Sequence, residues 1–162
     1  MKKLFYVAFL LFGMSACSDD ETVDIRIQGN GDYTYSSVIS LLSDLNQTAN
    51  ESGTIQVESV GTNGLKFTFD KGASDELILN ATGVTQASNG YVFNIQSTTE
   101  QDLDGDTFTI SGTNTVTIDG LDYQGGFDSG SKQLSFTLVT DYQNNDYDND
   151  FNVSIKIIAT KK

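Results

Sequence analysis

The sequence predicts an all-β fold: an antiparallel meander β-barrel of about 8–10 strands. Three observations carry this. From Ile25 onward the hydrophobic period is two rather than 3.6. Gly, Asn and Asp clusters punctuate the alternating runs at short intervals, which makes neighbouring strands antiparallel. The chain has no Pro, and a closed barrel has no sheet edges for Pro to protect. A β-sandwich uses the same alternation and turns and stands as the alternative.

In chain order, strands are expected near residues 24–28, 33–42, 54–60, 65–70, 76–82, 91–97, 107–118 (bent), 121–127, 133–140 and 151–160. Gly61-Thr62-Asn63-Gly64 joins the third and fourth as a tight hairpin. Leu65, Phe67 and Phe69 alternate with Lys66 and Thr68, and Tyr91, Phe93 and Ile95 with Val92 and Asn94. Leu134, Phe136 and Leu138 alternate with Ser135 and Thr137, and Phe151, Val153, Ile155 and Ile157 with Asn152, Ser154 and Lys156. Each run gives a sheet one apolar and one polar face. Val38, Leu41, Leu42 and Leu45 also fit helical spacing, but Tyr33, Tyr35, Ile39 and Leu41 alternate, and a long bent strand is the expectation. Gly125-Gly126 inside a strand marks a bulge or sharp bend.

The first residues carry an address. Lys2 and Lys3 precede an apolar run from Leu4 to Phe12, followed by Gly13, Met14, Ser15, Ala16 and Cys17. This is the layout of a secretory signal, and the run is shorter than the ~20 residues of a membrane-spanning helix. Small residues before the only cysteine resemble the lipobox of bacterial lipoproteins, although Met14 stands where Leu is preferred. That resemblance implies cleavage before Cys17 and acylation of its thiol and new amine. Residues 1–16 are then the signal peptide, 17–22 a lipidated tether and 23–162 a single barrel domain. Two or three acyl chains anchor stably, at ~0.8 kcal/mol per buried CH2. Ser18, Asp19, Asp20 and Glu21 resemble the acidic export signal of Bacteroidota surface lipoproteins, which implies the outer face of the outer membrane. A solvated tether has the same composition.

Composition excludes several chemistries. With no His and one Cys, the chain lacks Ser-His-Asp and Cys-His nucleophile systems, an internal disulfide framework and thiolate-rich metal sites. The formal charge is −13, and loss of Lys2 and Lys3 makes it −15. Such a chain is no partner for nucleic acid, whose phosphates demand Lys and Arg. Carboxylates are the only acid–base apparatus left, and none has an apolar setting that would raise its pKa. No enzymatic activity is expected.

The region from Ile25 to Lys162 resembles the lipocalin-like, or calycin-like, lipoproteins of Bacteroidota. The likeness rests on the strand order and on Leu121-Asp122-Tyr123-Gln124-Gly125-Gly126-Phe127-Asp128-Ser129, followed by Lys132-Gln133-Leu134-Ser135-Phe136. Gly31-Asp32-Tyr33 stands where true lipocalins carry Gly-x-Trp, with Tyr in place of Trp. The resemblance implies a barrel with a closed bottom and an open mouth that binds a small apolar ligand. An adhesion or assembly module for a protein or glycan partner is the alternative.

Candidate sites follow from residue type. Tyr33, Tyr91, Phe93, Phe108, Tyr123, Phe127 and Phe136 either fill the core or line a ligand cavity. Asp102, Asp104 and Asp106, and Asp146, Asp148 and Asp150, are weak calcium candidates. The first set lacks the Gly and the Glu that an EF-hand requires, since Thr107 and Thr113 occupy those places; both sets read as acidic turns, and no metal is expected. No cofactor is expected beyond the lipid on Cys17, and the chain should be a monomer.

Overall fold

The computed structural model describes residues 24–101, 107–142 and 152–162. A 3-10 helix, Ile25–Gly29, is followed by β1 (Gly31–Leu41), β2 (Thr48–Val60), β3 (Gly64–Phe69), β4 (Leu77–Ala87), β5 (Gly90–Ile95) and β6 (Thr98–Gln101). Next come β7 (Thr107–Gly112), β8 (Val116–Ile118), β9 (Leu121–Tyr123), β10 (Gly125–Asp128), β11 (Gln133–Tyr142) and β12 (Val153–Lys161). The pairing order β10-β5-β4-β3-β2-β1-β12-β11, closed by β10 against β11, makes an eight-stranded antiparallel meander barrel. Closure excludes the sandwich. The architecture is consistent with a lipocalin-like fold.

The alternation of each strand points one set of side chains into the barrel. The inward set is Tyr33, Ile55, Val57, Leu65, Phe67, Phe69, Leu79, Tyr91, Phe93, Phe127, Leu134, Phe136, Leu138, Ile157 and Ala159, all buried in one cluster. Facing pairs such as Ile55–Phe69, Val57–Phe67 and Ala81–Ile95 come from the ladder register, which keeps their apolar faces together. On β4 the register shifts between Thr82 and Thr85, where Gly83 adopts φ 62° and absorbs the extra residue of a bulge.

Four strand expectations are corrected. Residues 24–28 fold mostly as a 3-10 turn, because the Asp24 carboxylate accepts from the Arg26 amide and caps it. The bent run 107–118 is two strands, and 121–127 is interrupted at Gln124. β2 starts at Thr48 rather than residue 54, and β6 was not expected at all. Both additions are polar, and Thr48–Ser52 is exposed along its whole length, so neither carries an alternating signal. The segment around residue 40 is strand to Leu41, followed by a turn in which the Asp44 carboxylate accepts from the Asn46 amide.

The short helix lies at the barrel end formed by the β2–β3 and β4–β5 turns. Arg26 fastens it there. Its guanidinium is paired with Asp24 at 2.6 Å and donates to the carbonyls of Val60, Gly61 and Gly64 at 3.1–3.3 Å. The Tyr33 hydroxyl donates to the Gly29 carbonyl at 2.6 Å. This end is closed.

The opposite end is built differently. β11 pairs with β10 over Gln133–Phe136 but with β7 over Leu138–Tyr142. The wall therefore splits. Gln124 sits in the split: its amide donates to the Phe93 carbonyl, and its side-chain carbonyl accepts from the Ile95 amide at 2.7 Å. Beyond this point the strands continue as an open six-stranded sheet, β2-β1-β12-β11-β7-β6, flaring away from the closed barrel.

Candidate functional site

The barrel interior is filled with side chains. Tyr33, Phe67, Tyr91 and Phe93 are at most 1% exposed and Phe136 is 2% exposed. Phe67 stacks on Phe136 at 5.4 Å and tilts against Phe93 at 5.3 Å, while Tyr91 stacks on Phe127 at 5.2 Å. Gly125 shows how tight this is, since a Cβ there would lie 2.6 Å from the Phe93 ring and 2.7 Å from the Phe136 Cβ. Rings at these separations leave no room for a ligand between them.

The inner face of the open six-stranded sheet carries a further set of half-buried apolar residues. Register places Ile39 and Leu41 opposite Ile155 and Val153, Leu138 opposite Ile155, Ile110 opposite Thr140, and Phe108 opposite Tyr142. Tyr35, Leu77, Phe108 and Ile155 are half-buried and rest on the core. Ile39, Leu41, Tyr142 and Val153 are also half-buried but lie outside the core cluster, one tier higher. Phe108 and Tyr142 stack at 5.1 Å and 25°. The result is a trough with an apolar, partly exposed floor and an aromatic wall.

Carboxylates border one corner of the trough. Asp70 accepts from the Thr54 amide at 2.7 Å and from the Tyr35 hydroxyl at 3.3 Å. Glu51 sits on the inner face of β2, opposite Ser37, and is exposed. Burial first, then the negative charges of Asp70, Glu51 and Asp75, push the Tyr35 hydroxyl up to about 12. At the far edge Glu100 faces Phe108 from β6. Among the described residues the ion pairs are Arg26–Asp24 and Lys66–Glu58, so none joins these trough carboxylates to a cation. Lys71, in the β3–β4 loop, donates to Gln56 of the outer wall. Among the described residues no three carboxylate or thiol groups converge closely enough to hold a metal ion.

Of the residues singled out in the sequence, Tyr33, Tyr91, Phe93, Phe127 and Phe136 lie in the core. Phe108 is half-buried in the trough. Tyr123 is buried in β9, outside the core cluster. Cys17, Ser18, Asp19, Asp20 and Glu21 fall outside the described residues, as do Asp102, Asp104, Asp106, Asp146, Asp148 and Asp150. Sequence reasoning missed Ile39, Leu41, Tyr142 and Val153 as a group. Their alternation was visible, but only the split at Gln124 leaves them above the core.

Other depressions lie in the outer wall and at the helix end, where a cleft of about 520 Å³ is lined by Asp24, Arg26, Thr62, Asn63, Val84 and Gln86. A cleft of about 350 Å³ flanks the Gly83 bulge, lined by Val60, Gly64, Asn80, Thr82 and Gln96. Clefts of about 270 and 390 Å³ flank β8, which lies over the outer face near Val92 and Ser135. Comparison of the chain with protein-family models, with curated proteins and with solved structures found no match.

Proposed function

We propose that this chain is a non-enzymatic lipoprotein of the outer membrane, exposed at the cell surface, that binds a small apolar ligand in the flared mouth of its barrel. The lipid sits on Cys17, and the protein acts as a monomer with no nucleic-acid partner. The observation that carries the binding reading is the two-tier arrangement: a solid interior below and a partly exposed apolar trough above it. An anchor on Cys17 adds orientation. Asp24 begins the described chain at the closed end, and seven residues of tether reach at most ~25 Å. Arg26, Lys132, Lys161 and Lys162 sit at that same end. The closed end then faces the membrane and the mouth faces outward.

An environment-sensitive apolar fluorophore titrated onto the full lipoprotein in nanodiscs tests the site. Saturable binding near one probe per chain, above that of empty nanodiscs and weakened by Phe108→Ser with circular dichroism unchanged, is the expected result. Absence of saturable binding would overturn it. The adhesion or assembly reading would then lead, supported by Leu42 and Leu45, which stand 44% and 66% exposed at the tip of the β1–β2 hairpin beside the mouth. Alkyne fatty-acid labelling tests the anchor. Cys17→Ala should lose both label and membrane association, and an unlabelled wild type that still partitions to membranes would refute it.

A further inference from the structure

We infer that the occupant of the trough is an amphipathic organic cation, an apolar or aromatic body bearing one ammonium or guanidinium group, rather than a neutral lipid or a fatty acid. This rests on the mouth being the binding site, and it adds the class of ligand.

The argument is one of charge complementarity across an apolar face. Ile39, Leu41, Val153, Ile155 and the stacked Phe108–Tyr142 pair present half-buried apolar surface on one face. Such a floor holds a hydrocarbon or ring and says nothing about charge. The border supplies the sign. Asp70 accepts from the Tyr35 hydroxyl, Glu51 stands on the inner face of β2 opposite Ser37, and Asp75 is in the β3–β4 loop that Asp70 begins. Of the basic residues of the described chain, Arg26, Lys132, Lys161 and Lys162 lie at the closed end and Lys66 and Lys156 in strands along the barrel, while Lys71, next to Asp70 in the β3–β4 loop, is turned onto Gln56 of the outer wall.

A carboxylate ligand entering the trough would meet this field with the wrong sign, with Lys71 against Glu51, Asp70 and Asp75. A cation would find one carboxylate already held in place. Asp70 is fixed by the Thr54 amide and the Tyr35 hydroxyl, so it need not be ordered on binding. An organic cation carries its charge on several N–H donors and can use carboxylates spread along an edge, as Glu51, Asp70 and Asp75 are. The head group is therefore assigned to the Tyr35 corner, with the body lying over Ile39 and Ile155 toward Phe108, where the aromatic pair adds a face for a ring.

A matched trio of probes tests this: 4-phenylbutylamine, 4-phenylbutanol and 4-phenylbutyrate share one body and differ in charge at pH 7. They are titrated calorimetrically onto the full lipoprotein in nanodiscs, with empty nanodiscs subtracted. The amine should bind at least about tenfold more tightly than the acid, with the alcohol between them. Glu51→Gln with Asp75→Asn should cut the amine's advantage several-fold, Asp70 remaining in place, and leave the alcohol unchanged, which also shows that the fold survives. Glu100→Gln, at the far edge, should change little. Added salt should weaken the amine alone. Equal affinity across the trio, or tighter binding of the acid, would overturn the cation assignment while sparing the mouth. Saturable binding of none of the three would sink the mouth reading and this inference together.

Discussion

Whether the barrel is solid or hollow can be tested at Phe136. Its ring is 2% exposed and is shared by Phe67 at 5.4 Å, Phe93 at 6.1 Å and Phe69 at 6.3 Å. Phe136→Ala removes ~1.5–3 kcal/mol of transfer free energy. The hole it leaves, walled by two rings of β3 and one of β5, cannot collapse without breaking the ladder. Cavity and lost ring–ring terms bring the expected cost to ~3–5 kcal/mol. That is a large part of a stability of ~5–15 kcal/mol. Urea unfolding should show it as a lower midpoint at unchanged slope. Val38→Ala, on the outer face at 43% exposure, should cost under ~0.5 kcal/mol and serves as the control.

Two further readouts make the reasoning refutable. Benzene should raise the melting temperature of Phe136→Ala and leave the wild type unmoved, because only the variant holds a dry apolar void. In a double-mutant cycle with Phe67→Ala, the stacked pair should show a coupling of ~0.5–1.5 kcal/mol. A cost below ~1.5 kcal/mol, together with an equal benzene response in the wild type, would mean that these rings line an interior space, and the solid-barrel argument would fail.

Two tyrosines at the closed end should respond in opposite directions to loss of their hydroxyls. Tyr33→Phe breaks a 2.6 Å bond to the Gly29 carbonyl and should cost ~1 kcal/mol, whereas Tyr91→Phe removes a buried hydroxyl without a partner among the described residues and should gain ~1 kcal/mol in urea unfolding. Destabilisation by Tyr91→Phe would point to a bound water at that hydroxyl. Alkaline pH should open the barrel. Burial raises the folded-state pKa of Tyr33 and Tyr91, and raises that of Tyr35 to about 12 with help from Asp70. Raised phenol pKa values contribute stability that is whole below the unfolded value near ~10 and is lost as pH climbs through the folded values. Absorbance at 295 nm should therefore show these three ionising together with the loss of circular dichroism, and their ionisation in a still-folded barrel would contradict the burial.

The sequence revealed the closed barrel because its strands obey one rule. Most strands that complete the ring have an inward face rich in Leu, Ile, Val, Phe or Tyr alternating with largely polar residues, and a one-residue slip would turn that face to water. The split was not legible for a matching reason. β6, with Thr98, Thr99, Glu100 and Gln101, pairs only with β7 and has no apolar face to announce it. The outer half of β2 is likewise exposed on both sides. Gly125-Gly126 did signal an irregularity, but the residue that changes the topology is the neighbouring Gln124. Its effect depends on β5, β7 and β10 meeting there, which is a long-range fact that no local pattern encodes.

That single residue links fold to site. Where β10 ends, the Ile95 amide loses its ladder partner, and the Gln124 side-chain carbonyl replaces it at 2.7 Å. A cost of ~1–3 kcal/mol for an orphaned buried amide is thereby avoided. β11 is then free to take β7 as its neighbour, and the wall flares instead of closing. Gly112, the last residue of β7, must be small at this junction, because a Cβ there would collide with the Gln124 side chain. The flare is what lifts Ile39, Leu41, Tyr142 and Val153 clear of the packed rings. Below the split the strands spend their apolar faces on one another, which makes the barrel solid. Above it the same alternation continues along strands that pair with no opposite wall among the described residues, and apolar residues selected by the same period stand half-buried instead of in the core.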